Sequence, residues 1–320
     1  MVPNEPKLSI VIPVLGTVDE LERTLISVLQ CRDATSEVIL VLNRPYDDPY
    51  ALGDEVRFIH APPSSGWVDC VNLAIDECRA PIVHLLACGA TVEENWTDDP
   101  LAHFNDPIVG SVTPLVVEPE ATDIVRCAGV AYDTGGRRRV VARGENVVAI
   151  ETLARQAIGP TFVAGFYRRE LLLAGHGFSS RVGDLLADVD FALRLQRSGF
   201  ATVLEPAAGV RFADNSVHIA GPWQSGRNAE RLFRRHITQN GWLGSLARHA
   251  MIVASELWPL LPLRTAVPRI MGRAFEWLTV EPLATEIAPA PYTHDETISL
   301  PLDRGPGTNE RRDSLYRRSA

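Results

Sequence analysis

The stretch Gly183-Asp-Leu-Leu-Ala-Asp-Val-Asp-Phe-Ala-Leu-Arg-Leu-Gln-Arg-Ser-Gly-Phe200 decides how the rest of the chain is read. Leu185, Val189, Ala192 and Gln196 fall on one helical stripe, with Leu186 and Leu193 beside it, which predicts an amphipathic helix. Gly199 stops it, and Ala201-Thr-Val-Leu-Glu-Pro206 follows as a short strand. Asp188 and Asp190 fall in the first turn, where the positive end of the helix dipole favours carboxylates. Asp190 and Arg194 are spaced i,i+4, which suits an ion pair along the helix surface. On these grounds alone Asp188 is a helix cap and Asp190 an anchor for Arg194.

Upstream, strands and helices alternate. Leu8 to Val14 is a continuous apolar run and reads as a buried parallel strand, followed by a helix over 21–29. Glu37 to Asn43 and Val56 to His60 read as strands, Gly66 to Cys78 as a helix, and Pro81 to Leu86 as a fourth strand. This alternation predicts an α/β fold, a mainly parallel sheet with helices on both faces. Ligands of such sheets bind beyond the carboxyl ends of the strands, so chemistry is expected in the loops at 14–18, 43–48 and 87–91. Further on, Val109 to Val117 is a strand, and Asp133-Thr-Gly-Gly136 turns a hairpin. The basic triplet Arg137, Arg138 and Arg139 reads as a solvated hairpin tip or as a phosphate-facing loop.

The 183–200 stretch resembles the "Glu-Asp-x-Asp-(Leu/Phe)-x-x-Arg-x-x-x-x-Gly-(Tyr/Phe)" signature of family 2 glycosyltransferases, which have the GT-A fold. Asp188, Asp190, Arg194, Gly199 and Phe200 match, and Ala187 replaces the glutamate. "Leu-Ser-Ile-Val-Ile-Pro-Val", "Glu37-Val-Ile-Leu-Val-x-Asn43…Asp47", "Gly66-Trp-Val-Asp-Cys-Val-Asn72", the segment ending "Arg168-Arg-Glu" and "Gly175-His-Gly-Phe-Ser" are similar to further family segments, over the first two-thirds of the chain. The resemblance implies that Asp188 is the general base and that Asp47, Gly66 and Asn72 lie near the donor's base and ribose. Taken singly, Asp47 is a turn residue, and Gly66 and Asn72 are helix-end residues.

The family expects an Asp-x-Asp after the fourth strand, holding Mg²⁺ or Mn²⁺ against the donor diphosphate. Here Ala87 and Gly89 stand in those places, Leu42 replaces the aspartate of the second strand, and Phe212 fills the slot of a metal-site histidine. No metal ligand is therefore assigned, and a divalent metal stays in doubt; Asp214 and His218 are near enough in sequence to substitute. Without metal, Arg211 and the 137–139 triplet are the candidates to neutralise the diphosphate.

The 320 residues carry a formal charge of -9, which argues against nucleic acid as a partner. Five cysteines without a CxxC pair fit a reducing cytosol. The first residues have no basic and apolar leader, and no stretch is long and apolar enough to cross a membrane, so a cytoplasmic protein is expected. Residues 225–236 read as a basic helix, with His236 as a surface residue. Residues 242–261 and 266–278 read as two apolar, arginine-punctuated helices broken by Pro259, Pro262 and Pro268. They either pack on the catalytic domain or rest peripherally on the inner face of an anionic membrane. The domains expected are a GT-A-like domain over 1–220, a helical extension over 221–280 and a disordered Pro-rich tail over 281–320. The function implied is an inverting, metal-independent transfer from a nucleotide sugar to a hydroxyl of a cell-surface glycan or lipid-linked saccharide. The alternative is a catalytically silent GT-A module that binds a nucleotide sugar, a glycan or a partner protein.

Overall fold

The computed structural model describes residues 5–150, 154–213, 220–237, 242–255, 263–279 and 287. Every residue of β1 (Leu8–Val14) is buried. It lies parallel to β2 (Ser36–Leu42) on one side and to β4 (Ile82–Leu86) on the other, with β3 (Val56–His60) parallel beyond β2. A strand paired on both edges and covered on both faces has no polar side to present, hence its unbroken apolar run. Between them run α1 (Val18–Cys31) and α2 (Trp67–Glu77). Thr17 caps α1 by accepting from the Glu20 amide at 3.3 Å, while the Glu20 carboxylate accepts from the Thr17 amide at 2.6 Å. Leu21, Thr24, Leu25 and Val28 form the buried stripe of α1.

The remaining strands are β5 (Thr91–Val92), β6 (Val109–Val117), β7 (Val125–Cys127), β8 (Val130–Tyr132), β9 (Arg138–Val140), β10 (Ala164–Arg168) and β11 (Ala201–Arg211). The main sheet runs β3-β2-β1-β4-β10-β6-β11-β5, with β7 against β6. β10 is antiparallel to both β4 and β6, so the sheet is mixed. β11 is longer than the strand read over 201–206: it breaks register between Glu205 and Val210, then resumes to Arg211. That irregularity carries Phe212 back to the end of the sheet.

Short α3 (Asp98–His103) and α4 (Arg169–Ala174) precede α5 (Ala187–Arg197), which Gly199 ends at φ +85. The stripe read for α5 is corrected. Phe191, Arg194 and Leu195 are buried as well, and Gln196 is exposed. Phe191 packs against Tyr167 and Phe178, with ring centroids 5.7 and 4.9 Å away, and Arg194 donates to the Gly175 and Gly177 carbonyls at 2.6 and 2.8 Å. The last turn of α6 (Pro222–His236) is tied to the end of α5, where Arg197 Nη2 donates to the His236 carbonyl at 2.8 Å. α7 (Trp242–Ser255) and α8 (Leu263–Trp277) follow. Pro268 sits inside α8 and does not end it. α6 and α8 touch backbone to backbone, since a Cβ on Gly226 would stand 1.9 Å from the Arg269 carbonyl oxygen. Met1–Ala288 is one compact unit that includes these helices. The expected tail over 281–320 lies, apart from Ile287, outside the described residues.

Candidate active site

A cleft of about 1150 Å³ opens where the fold places it, beyond the carboxyl ends of β1, β2 and β4. Leu15 to Thr17, Asn43 with Arg44, and Ala87 with Cys88 line it, one group from each expected loop. Phe212 comes from the end of β11, and Gly66 and Trp67 from the start of α2. Trp67 packs against Phe162 with ring centroids 4.0 Å apart and the planes tilted by 46°, and both line the cleft. Two lining residues carry a buried polar atom with no hydrogen-bond partner among the described residues: Asn43 Oδ1 and Trp67 Nε1. Such orphaned groups are uncommon in folded proteins and are suited to a ligand.

Four arginines line the cleft (Arg44, Arg126, Arg138 and Arg143), against two carboxylates, Glu20 and Asp184. Both carboxylates are engaged in capping helices. Glu20 belongs to the α1 capping box. Asp184 accepts from the Trp67 and Val68 amides at 3.0 and 3.1 Å, closing the N-terminus of α2. This contact explains Gly66, because a Cβ there would fall 2.3 Å from Asp184 Oδ2. Of the arginines, Arg138 pairs with Asp188 and Arg126 with Glu118, and Arg44 donates to the Leu15 carbonyl.

The place where the resemblance puts a divalent ion is built from groups that do not fit one. A Cβ on Gly89 would lie 3.5 Å from the Phe212 ring and 3.6 Å from Glu20 Cγ, so the fold does bring the two family positions together. Ala87, Gly89 and Phe212 have no side-chain donor atom for Mg²⁺ or Mn²⁺, which need several oxygen ligands. Burial pushes the Cys88 thiol up to about 11, so it is protonated at neutral pH. Among the described residues no group of three His, Cys, Asp or Glu side chains is placed to hold a metal. Asp214 and His218 lie outside the described residues.

Asp188 lies behind the cleft wall. Its side chain is 0% exposed and forms a two-pronged pair with Arg138, whose Nε donates at 3.1 and 3.2 Å and Nη2 at 2.6 Å. Burial raises the Asp188 pKa above the usual carboxylate value, outweighing the Arg138 charge and the hydrogen bonds from Arg138 and the Val189 amide. Of the basic triplet, Arg137 and Arg139 are exposed while Arg138 turns inward between Asp188 and the cleft. The hairpin tip is solvated on one side only: Thr134 is exposed, while Gly135 and Gly136 are buried beneath Ile252 and His249 of α7 and Phe233 of α6.

Asp190, two residues on, meets two guanidinium groups and an imidazole. His236 Nε2 is 2.8 Å away, Arg194 Nε 3.1 Å and Arg235 Nε 3.3 Å. Burial pushes its pKa up, but the His236 hydrogen bond and the guanidinium charges outweigh this and leave it lowered. The Asp190–Arg194 pair read as a surface bridge is thus buried, and His236, read as a surface residue, is buried too.

Of the other residues expected near the donor, only Gly66 is in the lining. Asp47 is exposed in its loop and outside the lining. Asn72 is also outside it, bonded at both ends of its amide to the Phe178 backbone, at 2.8 and 2.9 Å. Arg211 pairs with Glu93 at the sheet end and does not line the cleft. Sequence reasoning missed Arg44 and Arg143, which sit in loops, and Arg126 of β7, none of them with a motif to flag it.

No family model matches the chain. It is similar to the pre-mycofactocin glycosyltransferases of Mycobacterium tuberculosis strains CDC 1551 / Oshkosh and ATCC 25618 / H37Rv. The identity is 26% over 115 residues, which is 36% of this chain and 24% of each relative. The match thus spans about a quarter of the length of these curated relatives. Among solved structures, GalNAc-T7 with UDP, GalNAc and Mn²⁺ superposes with a TM-score of 0.59 at 13% identity, over 84% of this chain and 55% of that one. The mannosyltransferase PcManGT of Pyrobaculum calidifontis, in complex with GDP-Man and Mn²⁺, gives 0.50 at 16% identity, over 85% and 81%. The chain has the GT-A glycosyltransferase fold, and the curated proteins it is similar to are glycosyltransferases.

Proposed function

We propose that this chain transfers a sugar from a nucleoside-diphosphate donor to a hydroxyl acceptor, with inversion and without a divalent metal. The observation that carries the reading is the cleft lining: four arginines, of which Arg138 pairs with Asp188 and Arg126 with Glu118, and no oxygen ligand for Mg²⁺ on Ala87, Gly89 or Phe212, where the resemblance expects the ion. Leaving-group charge must be neutralised for glycosyl transfer, and guanidinium groups in a cleft supply that electrostatic stabilisation. Arg138 has two roles in this reading. It turns from Asp188 to the diphosphate when the donor enters, which opens the carboxylate to the acceptor and raises its proton affinity towards neutrality.

The acceptor O–H then gives its proton to Asp188 as its oxygen forms the bond to the anomeric carbon. The bond from that carbon to the diphosphate breaks, its electron pair goes to the diphosphate oxygen, and the nucleoside diphosphate leaves with that charge stabilised by Arg138 and its neighbours. The Trp67 and Phe162 rings offer an apolar wall for a sugar or base, and the Asn43 and Trp67 orphan atoms offer it hydrogen bonds. A cell-surface glycan or lipid-linked saccharide is the acceptor class proposed.

The test is a melting-temperature screen of the protein with UDP, GDP, CMP and dTDP and their sugars, in Mn²⁺, Mg²⁺ or EDTA, followed by transfer assays with the donor that binds. A rise that survives EDTA is the expected result; a rise that appears only with Mn²⁺ contradicts the metal-free reading. One observation favours a second reading, a silent binding module: Asp188 is closed off by Arg138. Turnover with any donor removes that alternative.

A further inference from the structure

We infer that α8, with the start of α6, is a docking face for an anionic membrane surface. Val267, Met271, Phe275 and Leu278 recur at i, i+4, i+8 and i+11 and are 45%, 56%, 43% and 84% exposed, a single outward apolar stripe. Trp277 and Trp223 flank it, and the Trp223 and Phe275 rings are 5.6 Å apart. The buried side of α8 is already used against α6. Packing within the chain therefore accounts for one face of the helix and leaves the other unexplained.

The charge around the stripe names the occupant. The three helices carry eight arginines and two glutamates, within a chain of net charge -9. Both glutamates, Glu230 and Glu276, are 0% exposed, held by Arg273 and by Arg227 and Arg231. The outer side of the α6–α8 pair therefore shows cations and apolar groups and no carboxylate. Arg227 lies over the Phe275 ring at 5.0 Å and Arg234 over Trp277 at 5.5 Å, while Arg264 is exposed at the start of α8. Aromatic and aliphatic groups interleaved with arginine suit the level of lipid headgroups, where rings sit at the acyl boundary and guanidinium groups meet phosphate. No described helix is long and apolar enough to cross a membrane, so the contact is peripheral.

The experiment is flotation of the full chain with vesicles of phosphatidylcholine alone and of phosphatidylcholine with about 30 mol % phosphatidylglycerol. Expected is co-flotation with the anionic vesicles only, weakened by salt, and reduced about tenfold in the double variant Met271→Ser, Phe275→Ser. Phe275 also touches Trp223 and Arg227, so the single variant Met271→Ser is run beside the double one; it should bind the anionic vesicles more weakly while its melting temperature and nucleotide-induced shift match the parent's, whether or not any sugar is transferred. Equal binding to both vesicle types, no binding, or binding indifferent to the double variant would overturn the inference. A dimer that the same substitutions dissolve would assign the face to a second copy instead.

Discussion

Asp188 and Asp190 lie two residues apart in the first turn of one helix, both without solvent exposure, and the chain treats them oppositely. Asp190 is surrounded by Arg194, Arg235 and His236 and held ionised. Asp188 has one arginine, and that arginine also faces the cleft; burial wins and its proton affinity is raised. A carboxylate compensated on every side is a structural tie. One compensated by a single removable partner is suited to proton transfer. Environments that push two neighbouring carboxylates apart are how one element supplies both.

The largest effect expected is on transfer. Asp188→Asn keeps a hydrogen-bond acceptor for Arg138, so folding and nucleotide binding should persist while the transfer rate falls about 10²–10⁴-fold. Full activity in that variant would reduce Asp188 to a cap. Asp190→Ala should do the converse. It strands two buried arginines and the His236 imidazole and should cost about 3–5 kcal/mol in urea denaturation, with nucleotide still bound at low temperature. If the two variants gave the same pattern, the comparison would fail.

A smaller effect is expected from Arg44→Gln. It should weaken nucleoside diphosphate binding about tenfold by calorimetry, equally in EDTA and in Mg²⁺. An affinity unchanged by the substitution removes Arg44 from the diphosphate site.

The smallest effects concern stability against pH, and the two aspartates enter with opposite signs. Asp190 has a lowered folded pKa, so its stabilisation is present above the unfolded value of 3.8 and lost as pH falls through the folded one. Asp188 has a raised folded pKa, so it protonates first in the folded state and gains stability as pH falls towards 3.8. Burial lowers His84 from 6.5 to about 3 and also lowers His236, so protonation of the unfolded chain draws it away from the fold below pH 6.5. Denaturation midpoints should therefore decline from pH 6.5 downward, and slightly more steeply in Asp188→Asn.

The sheet was legible because its strands are short runs rich in β-branched and apolar residues: Leu8–Val14, Val56–His60 and Val109–Val117 begin and end where the sequence suggested. The α5 stripe was misread because periodicity assumes a helix with one solvent face, whereas Tyr167, Phe178 and the Gly175 and Gly177 carbonyls hold Phe191 and Arg194 as well. The cleft position followed from the strand order, but its arginines did not. Arg44, Arg126 and Arg143 are far apart in the chain and converge only through the fold. Arg138 looked like one of three equivalent surface cations until the hairpin was found covered on one side by α7. Asn72 and Gly66 illustrate a different limit. Motif positions kept by a fold can hold loops together, as both do here, whether or not they touch a ligand.

The central claim is that a diphosphate and Asp188 share Arg138. Calorimetry of nucleoside diphosphate binding in EDTA at pH 7.5, in buffers of differing ionisation enthalpy, tests it most directly. The diphosphate is the product, and its complex corresponds to the state just after transfer, with Arg138 on the phosphates and the proton on Asp188. The result predicted is net proton uptake in the parent protein that disappears in Asp188→Asn. Tight binding with the same proton count in both proteins would contradict the sharing of Arg138, and no binding would contradict the nucleotide site itself.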